Sequence, residues 1–461
     1  MAWLGGGSRK NPISVLIHGV PHRVEISDRD NVTVDLTFGG GIGGLTSAVA
    51  LKHCSSIEID LYEQATHITE IGAGITVWPR TWEVLKSLGL EQDLLALLPE
   101  GHSDEPKLAF EYRLSDRKEG FTFHKVYARG GALCFHRQEI LAALLKHVPE
   151  SCRIHLSHRL SRYSEETDNV KLWFENGKEA TCDLLVAADG IRSVVRDSST
   201  SIASKGLFYT GSQCFRGLIP KEKLEKLYPD HRALYSPINY CGKNQHIIVY
   251  PISGGKIINV VAFFTRLEEE GRQWEGPGIN SATTEDALGQ FSGWEDEVVQ
   301  LLGCIETPTR WAIQDLYPLQ TYASRRVALV GTENFPFIII MAITYIITGE
   351  KGAGAGQAIE DGYILGQLFL NRKSEKWEHV LQAYNFVRQP FVNMIKNMTR
   401  IQGLHYELNS PGLDDVTNVG QELSPEQISL LRSGLTENRS WWEADAEEEL
   451  RRAIEVVRTE N

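Results

Sequence analysis

Gly39, Gly41 and Gly44 stand in the order G-x-G-x-x-G within "GGGIGGLTSA". The first glycine permits a tight turn. The second lets backbone approach a pyrophosphate, and the third lets the following helix lie close on a sheet. A helix opening there turns free N–H groups and the positive end of its dipole toward phosphate. The stretch "SIEIDLYEQA" alternates Ile57, Ile59 and Leu61 as a strand would and ends at Glu63, nineteen residues after Gly44. That is the offset at which a carboxylate grips a ribose hydroxyl. Knot and acid together predict a dinucleotide site.

Four further stretches carry residues suited to a long ligand. "EIGAGITVWP" offers Gly74 and Ile75, and "CFHRQEILAAL" puts Arg137 at a helix start. "CDLLVAADGIRSVVR" is an apolar strand ending in Asp189-Gly190, with Arg192 beyond, and "GAGAGQAIEDGYILG" opens a helix with Gly354, Ala355 and Gly356. Taken singly, each has a plain structural reading: Arg137 as a surface helix-start residue, Asp189 as a turn cap, the glycines as a bare helix start. In their order along the chain, these motifs resemble the single-component FAD-dependent aromatic hydroxylases, in particular their salicylate hydroxylase-like fungal branch. The resemblance runs from about Gly39 to Leu408.

The resemblance implies FAD as cofactor, with Glu63 on the adenosine ribose and Arg137 on the ribose or pyrophosphate. It implies Gly74 and Ile75 beside the flavin ring, and Asp189 and Arg192 serving FAD and a transient NADH or NADPH. It also sets the helix start at Gly354–Gly356 against the pyrimidine end, where its dipole favours the anionic reduced flavin. The reaction it implies is hydroxylation of a small aromatic, salicylate-like or secondary-metabolite substrate by O2 through a flavin C4a-hydroperoxide. Two other readings stand beside it: a non-catalytic relic of the family, and an alkene epoxidase of the same flavin class.

The elements that must position these groups follow from pattern. "GSQCFRGLIP", "HIIVYPISGG" and "KIINVVAFF" are β-rich and separated by turns, so they predict an antiparallel sheet over the flavin. Arg216 lies on the first. His246 and Tyr250, four apart, share one face of the second and can orient or deprotonate a phenol. Each equally suits an ordinary sheet position. The fold class expected is α/β: a Rossmann-like FAD-binding domain, an inserted antiparallel substrate sheet and C-terminal helices. The expected divisions are residues 1–198 and 311–400 for the FAD-binding parts, 199–310 for the substrate sheet and 401–461 for a helical tail.

Two stretches break the pattern. Residues 20–38 separate the apolar "ISVLIHG" from the glycine knot, and 332–351 replace the Gly-Asp motif expected after "RRVALVG". Glu333 stands one position late for the ribityl-binding aspartate. Both stretches read as insertions, either lineage-specific or translated intron, and they are what supports the relic reading. The run "FPFIIIMAITYIIT" within the second is too short to span a bilayer and predicts a buried or interfacial segment.

Composition narrows the classes further. A net charge of −13 argues against nucleic acid. Seven cysteines without a CxxC pattern predict reduced thiols, no zinc site and a cytoplasmic location. The sequence predicts no membrane span and is silent between monomer and homodimer. "WEHVLQAYNFVRQPFVNMIKNMTRIQGLHYEL" has helical periodicity expected to break at Pro390, and "SWWEADAEEELRRAIE" predicts a solvated helix of Glu/Arg pairs.

Overall fold

In the computed structural model, residues 39–54, 56–68, 74–98, 101–199, 202, 205–331, 353–372, 377–437 and 440–459 are described. The two suspected insertions, the strand before the knot, Glu333 and the apolar run at 335–348 lie outside them.

The knot opens the helix Ile42–Ala50, every residue of which is buried. It packs against the helix Ala353–Asn371. Glycine makes that closeness possible: a Cβ on Gly362 would lie 2.8 Å from Ser47 N, and one on Gly366 would lie 2.5 Å from Ala50 Cβ. The alternating residues Ile57, Ile59 and Leu61 are all buried. Short parallel pairs build the nucleotide-binding side: Asp60–Tyr62 with Arg153–His155, and Leu185–Ala187 with Val327–Leu329.

The largest sheet among the described residues has eight strands. Their order is Ile279–Ser281, Thr309–Leu316, Leu207–Pro220, Ile257–Thr265, Gln245–Ile252, Ile238–Gly242, Pro106–Leu114 and Phe121–Arg129. All neighbours are antiparallel except Ile238–Gly242 beside Pro106–Leu114. The last two strands come from well ahead of residue 199, so the sheet draws on both sides of the Leu185–Ala187 strand. Alternation divides its faces. Phe215, Tyr240, Ile247, Val249, Val260 and Ala262 form one core with Leu301 and Leu302 of the helix Asp296–Gly303. Cys214, Ile248, Tyr250, Val261, Phe263 and Trp311 turn the other way, into the large core shared with the knot helix.

The break expected at Pro390 does not occur. One helix runs from Trp377 to Tyr406 with Pro390 inside it. The carbonyl that loses its donor belongs to Phe386, which is exposed, as is Pro390 itself, so the lost hydrogen bond falls on the helix face open to solvent, where it costs least.

The acidic tail is also more than a solvated helix. Trp442 stacks on Trp78, 4.3 Å between centroids and 6° between planes. In the helix Ala446–Thr459, Ala446, Glu449, Leu450, Ala453 and Val457 are buried. Glu449 pairs there with Arg80 and, at 2.8 Å, with Arg388. Arg388 also binds Asp361 Oδ1 at 2.6 Å, and Arg80 binds Glu360 at 2.9 Å. Two arginines and three carboxylates from four separate helices thereby pair in the core, as buried charges require. The outer face, with Arg451 on Glu448, is exposed as expected.

Candidate active site

The knot, the acid and the Asp-Gly turn meet. A Cβ on Gly39 would lie 2.5 Å from Ala188 O and 3.7 Å from Asp189 Cα. The Gly40 N–H donates to Glu63 Oε2 at 2.5 Å, and the Ala65 N–H donates to Oε1 at 2.7 Å. Two backbone donors therefore fix the carboxylate beside the glycine loop. Gly41 is the N-cap of the knot helix and no side chain caps that end, which leaves its first-turn N–H groups for a phosphate. These residues fit the nucleotide half of FAD: Gly41 to Gly44 for the pyrophosphate and Glu63 for the ribose. Asp189 Oδ2 accepts from Val194 N–H at 2.7 Å, the turn-capping role, and Arg192 is exposed.

A second group gathers at the edge between the nucleotide side and the sheet. The strand Gly74–Val77 pairs with Leu133–His136, Gly74 opposite His136 and Ile75 opposite Phe135. Arg137 follows at once as the first residue of the helix Arg137–His147, whose start is closed by a His136/Glu139 capping box. The Leu133–His136 strand abuts the Tyr250 strand. A Cβ on Gly74 would lie 2.3 Å from Tyr250 Cε2 and 2.6 Å from its hydroxyl oxygen. The first turn of the Ala353–Asn371 helix reaches the same wall. Gly354, Ala355 and Gly356 are buried, and a Cβ on Gly356 would lie 2.8 Å from Thr81 Oγ1.

Arg137 is 1% exposed and Arg216 8%. Burial, followed by the positive charge of Arg216, pushes the Arg137 guanidinium well below its ordinary value. Burial also pulls Arg216 down. Arg216 lies over the Trp311 ring, 5.2 Å from its centroid, and its Nε has no hydrogen-bond partner. Among the described residues no carboxylate forms an ion pair with Arg216. Two buried cations near one another are what an anionic ligand relieves.

The sheet registers order the face toward this site. Arg216 lies opposite Val261, Val261 opposite Ile248, Ile248 opposite Asn239 and Asn239 opposite Tyr112, in one row. The neighbouring row on one side holds Cys214, Phe263, His246 and Cys241, and the row on the other holds Asn259 and Tyr250. His246 and Tyr250 thus share one face of their strand as expected, and Arg216 lies on that same face of the sheet. The structure brings Arg216 and Tyr250 together, whereas His246 lies four residues from Tyr250, about 13 Å along the strand. His246 stacks on Phe263, 4.5 Å between centroids, and its Nδ1 meets Glu407 at 2.9 Å. Glu407 also accepts from Thr265 Oγ1 at 2.8 Å. His246 therefore ties the sheet to the end of the long C-terminal helix. Trp311 and Asn239 carry no sequence signal of their own, because strand register alone brings them to this face, and Glu407 reaches it from the end of the Trp377–Tyr406 helix.

A family model described as FAD binding domain matches residues 33–288. The chain is 30% identical over 403 residues to a salicylate hydroxylase of Pseudomonas putida, covering 85% of this chain and 89% of that one. It is 31% identical over 375 residues to a 6-methylsalicylate 1-monooxygenase of Aspergillus terreus, covering 78% and 80%. A solved salicylate hydroxylase substrate complex superposes with a TM-score of 0.77 at 27% identity, covering 92% of this chain and 98% of that one. With the nucleotide site and the sheet arranged as described, the chain belongs to the family of single-component FAD-dependent aromatic hydroxylases.

Proposed function

We propose that this FAD-dependent monooxygenase hydroxylates a small aromatic carboxylate of the salicylate type, with NADH or NADPH and O2 as co-substrates. The observation that carries the substrate class is Arg216, buried on the sheet face with its Nε unbonded and, among the described residues, no carboxylate in an ion pair with it. FAD, when bound, supplies acceptance of hydride and activation of dioxygen. The chain supplies the rest. Arg216 holds the substrate carboxylate by charge-assisted hydrogen bonds, while Trp311, Val261 and Ile248 give an apolar floor for the ring. Tyr250, pressed against Gly74, closes the space between ring and cofactor edge, and the Arg137 charge favours anions there. The relatives named for salicylate and 6-methylsalicylate support this reading. Seven free cysteines suit a cytoplasmic place of action.

The test is a purified FAD-loaded protein mixed with salicylate and each nicotinamide in turn. The expected result is salicylate-stimulated NAD(P)H oxidation and O2 uptake, with a hydroxylated product by mass spectrometry. Protein that takes up no flavin would support the relic reading instead. A flavoprotein indifferent to aromatic carboxylates would overturn the substrate class.

A further inference from the structure

We propose that Asn239 recognises a second, uncharged polar group of the substrate, so that the preferred substrate is an aromatic acid longer than one ring. This rests on the carboxylate reading of Arg216. Asn239 is 0% exposed, and neither its side-chain oxygen nor its nitrogen has a hydrogen-bond partner. A buried amide with both atoms unbonded is costly and uncommon. It lies on the sheet face of Arg216, because Ile238 and Tyr240 on either side belong to the core on the opposite face. Asn259, opposite Tyr250 on the same face, is also buried with its amide nitrogen unbonded.

The register then sets a length. Arg216 and Asn239 occupy the same row, separated by the strands of Val261 and Ile248. Three inter-strand steps of about 4.8 Å put their backbones about 14 Å apart. The Arg216 guanidinium lies over Trp311, whose strand is on the side of Arg216 away from Asn239, which does not shorten the gap. A one-ring hydroxy acid held by Arg216 leaves its far end short of Asn239. An acid with two fused rings spans Val261 and Ile248, whose apolar side chains suit aromatic faces. An amide both donates and accepts, so it fits a hydroxyl or carbonyl at the far end and rejects a charge no better paired than the amide itself.

The experiment is calorimetric titration of the FAD-loaded protein with 2-naphthoate and with 6-hydroxy-2-naphthoate. In wild type, the added hydroxyl should tighten binding about tenfold, the worth of one well-made hydrogen bond to a buried group. In Asn239→Leu, the ratio between the two ligands should fall to near one. Asn239→Ala serves the same comparison if the leucine variant does not fold. A hydroxyl that gives no gain in wild type, or a gain that persists in the variant, overturns the proposal. Arg216→Met separates it from the reading beneath it. Unchanged 2-naphthoate binding by that variant would sink the carboxylate reading, whereas a hydroxyl gain retained without Asn239 sinks this proposal alone.

Discussion

Gly74 and Tyr250 come from elements more than a hundred residues apart, yet no side chain fits between them: a Cβ on Gly74 would stand 2.3 Å from the Tyr250 ring. Gly74→Ala should therefore overpack the seam between the nucleotide side and the sheet, costing about 1–3 kcal/mol. Lowered melting temperature and lowered flavin content after purification are the expected readouts. In a Tyr250→Ala background, itself destabilised by the cavity it leaves, Gly74→Ala should cost much less than in wild type, because the two changes share one contact and are not additive.

Glu63 is oriented by the Gly40 and Ala65 N–H groups. Glu63→Ala should weaken FAD binding about tenfold to a hundredfold, the range of hydrogen bonds to a charged group. Fluorescence titration of apo-protein with FAD measures this. An unchanged dissociation constant would remove Glu63 from the cofactor site.

Arg216→Met should raise the KM for salicylate at least about tenfold, as loss of a charge-assisted bond predicts, while leaving the flavin spectrum of the resting protein intact. Loss of flavin in that variant would assign Arg216 to the cofactor instead of the substrate.

Arg388→Leu takes the cationic partner of Asp361 out of the core, while Glu449 keeps Arg80. Breaking a buried pair in this way costs about 3–5 kcal/mol, which denaturant unfolding would resolve. A variant as stable as wild type would mean that the network contributes specificity of packing without net stability.

Asp315, buried against Lys396, has its carboxyl pushed up to about 6, chiefly by burial. A raised acid binds its proton more tightly folded than unfolded. Its stabilising contribution is therefore full below the unfolded value near 4 and is lost as pH rises to about 6. The melting temperature of Asp315→Asn relative to wild type should climb across pH 4 to 6 and level off above. A flat difference over that window would show that Asp315 does not titrate there.

What the sequence made legible was what depends on local spacing. The glycine knot, the Glu63 offset, the buried alternation of Ile57, Ile59 and Leu61, and the shared face of His246 and Tyr250 all follow from periods of a few residues. Neighbour relations between distant strands do not. No local pattern tells that Asn239 sits in the row of Arg216, or that His246 meets Glu407 rather than the cofactor edge. Pro390 misled because the cost of a helical proline depends on whether the orphaned carbonyl meets water, a tertiary fact. The acidic tail misled for a like reason: only packing distinguishes Glu449, held by Arg80 and Arg388, from the solvated Glu448 one residue earlier.

The knot helix has one more consequence, for the birth of the protein. All nine of its residues are buried, and much of that cover comes from the helix Ala353–Asn371. Arg80 waits still longer for Glu449, 369 residues downstream. At translation speeds of about 5–20 residues per second, the emerging chain must carry an uncovered apolar helix for some tens of seconds. The nucleotide-binding half thus has no means of maturing on the ribosome ahead of the sheet inserted within it. Cofactor capture must therefore wait for the helix Ala353–Asn371, and until then the nascent chain exposes aggregation-prone apolar surface of the kind that chaperones cover.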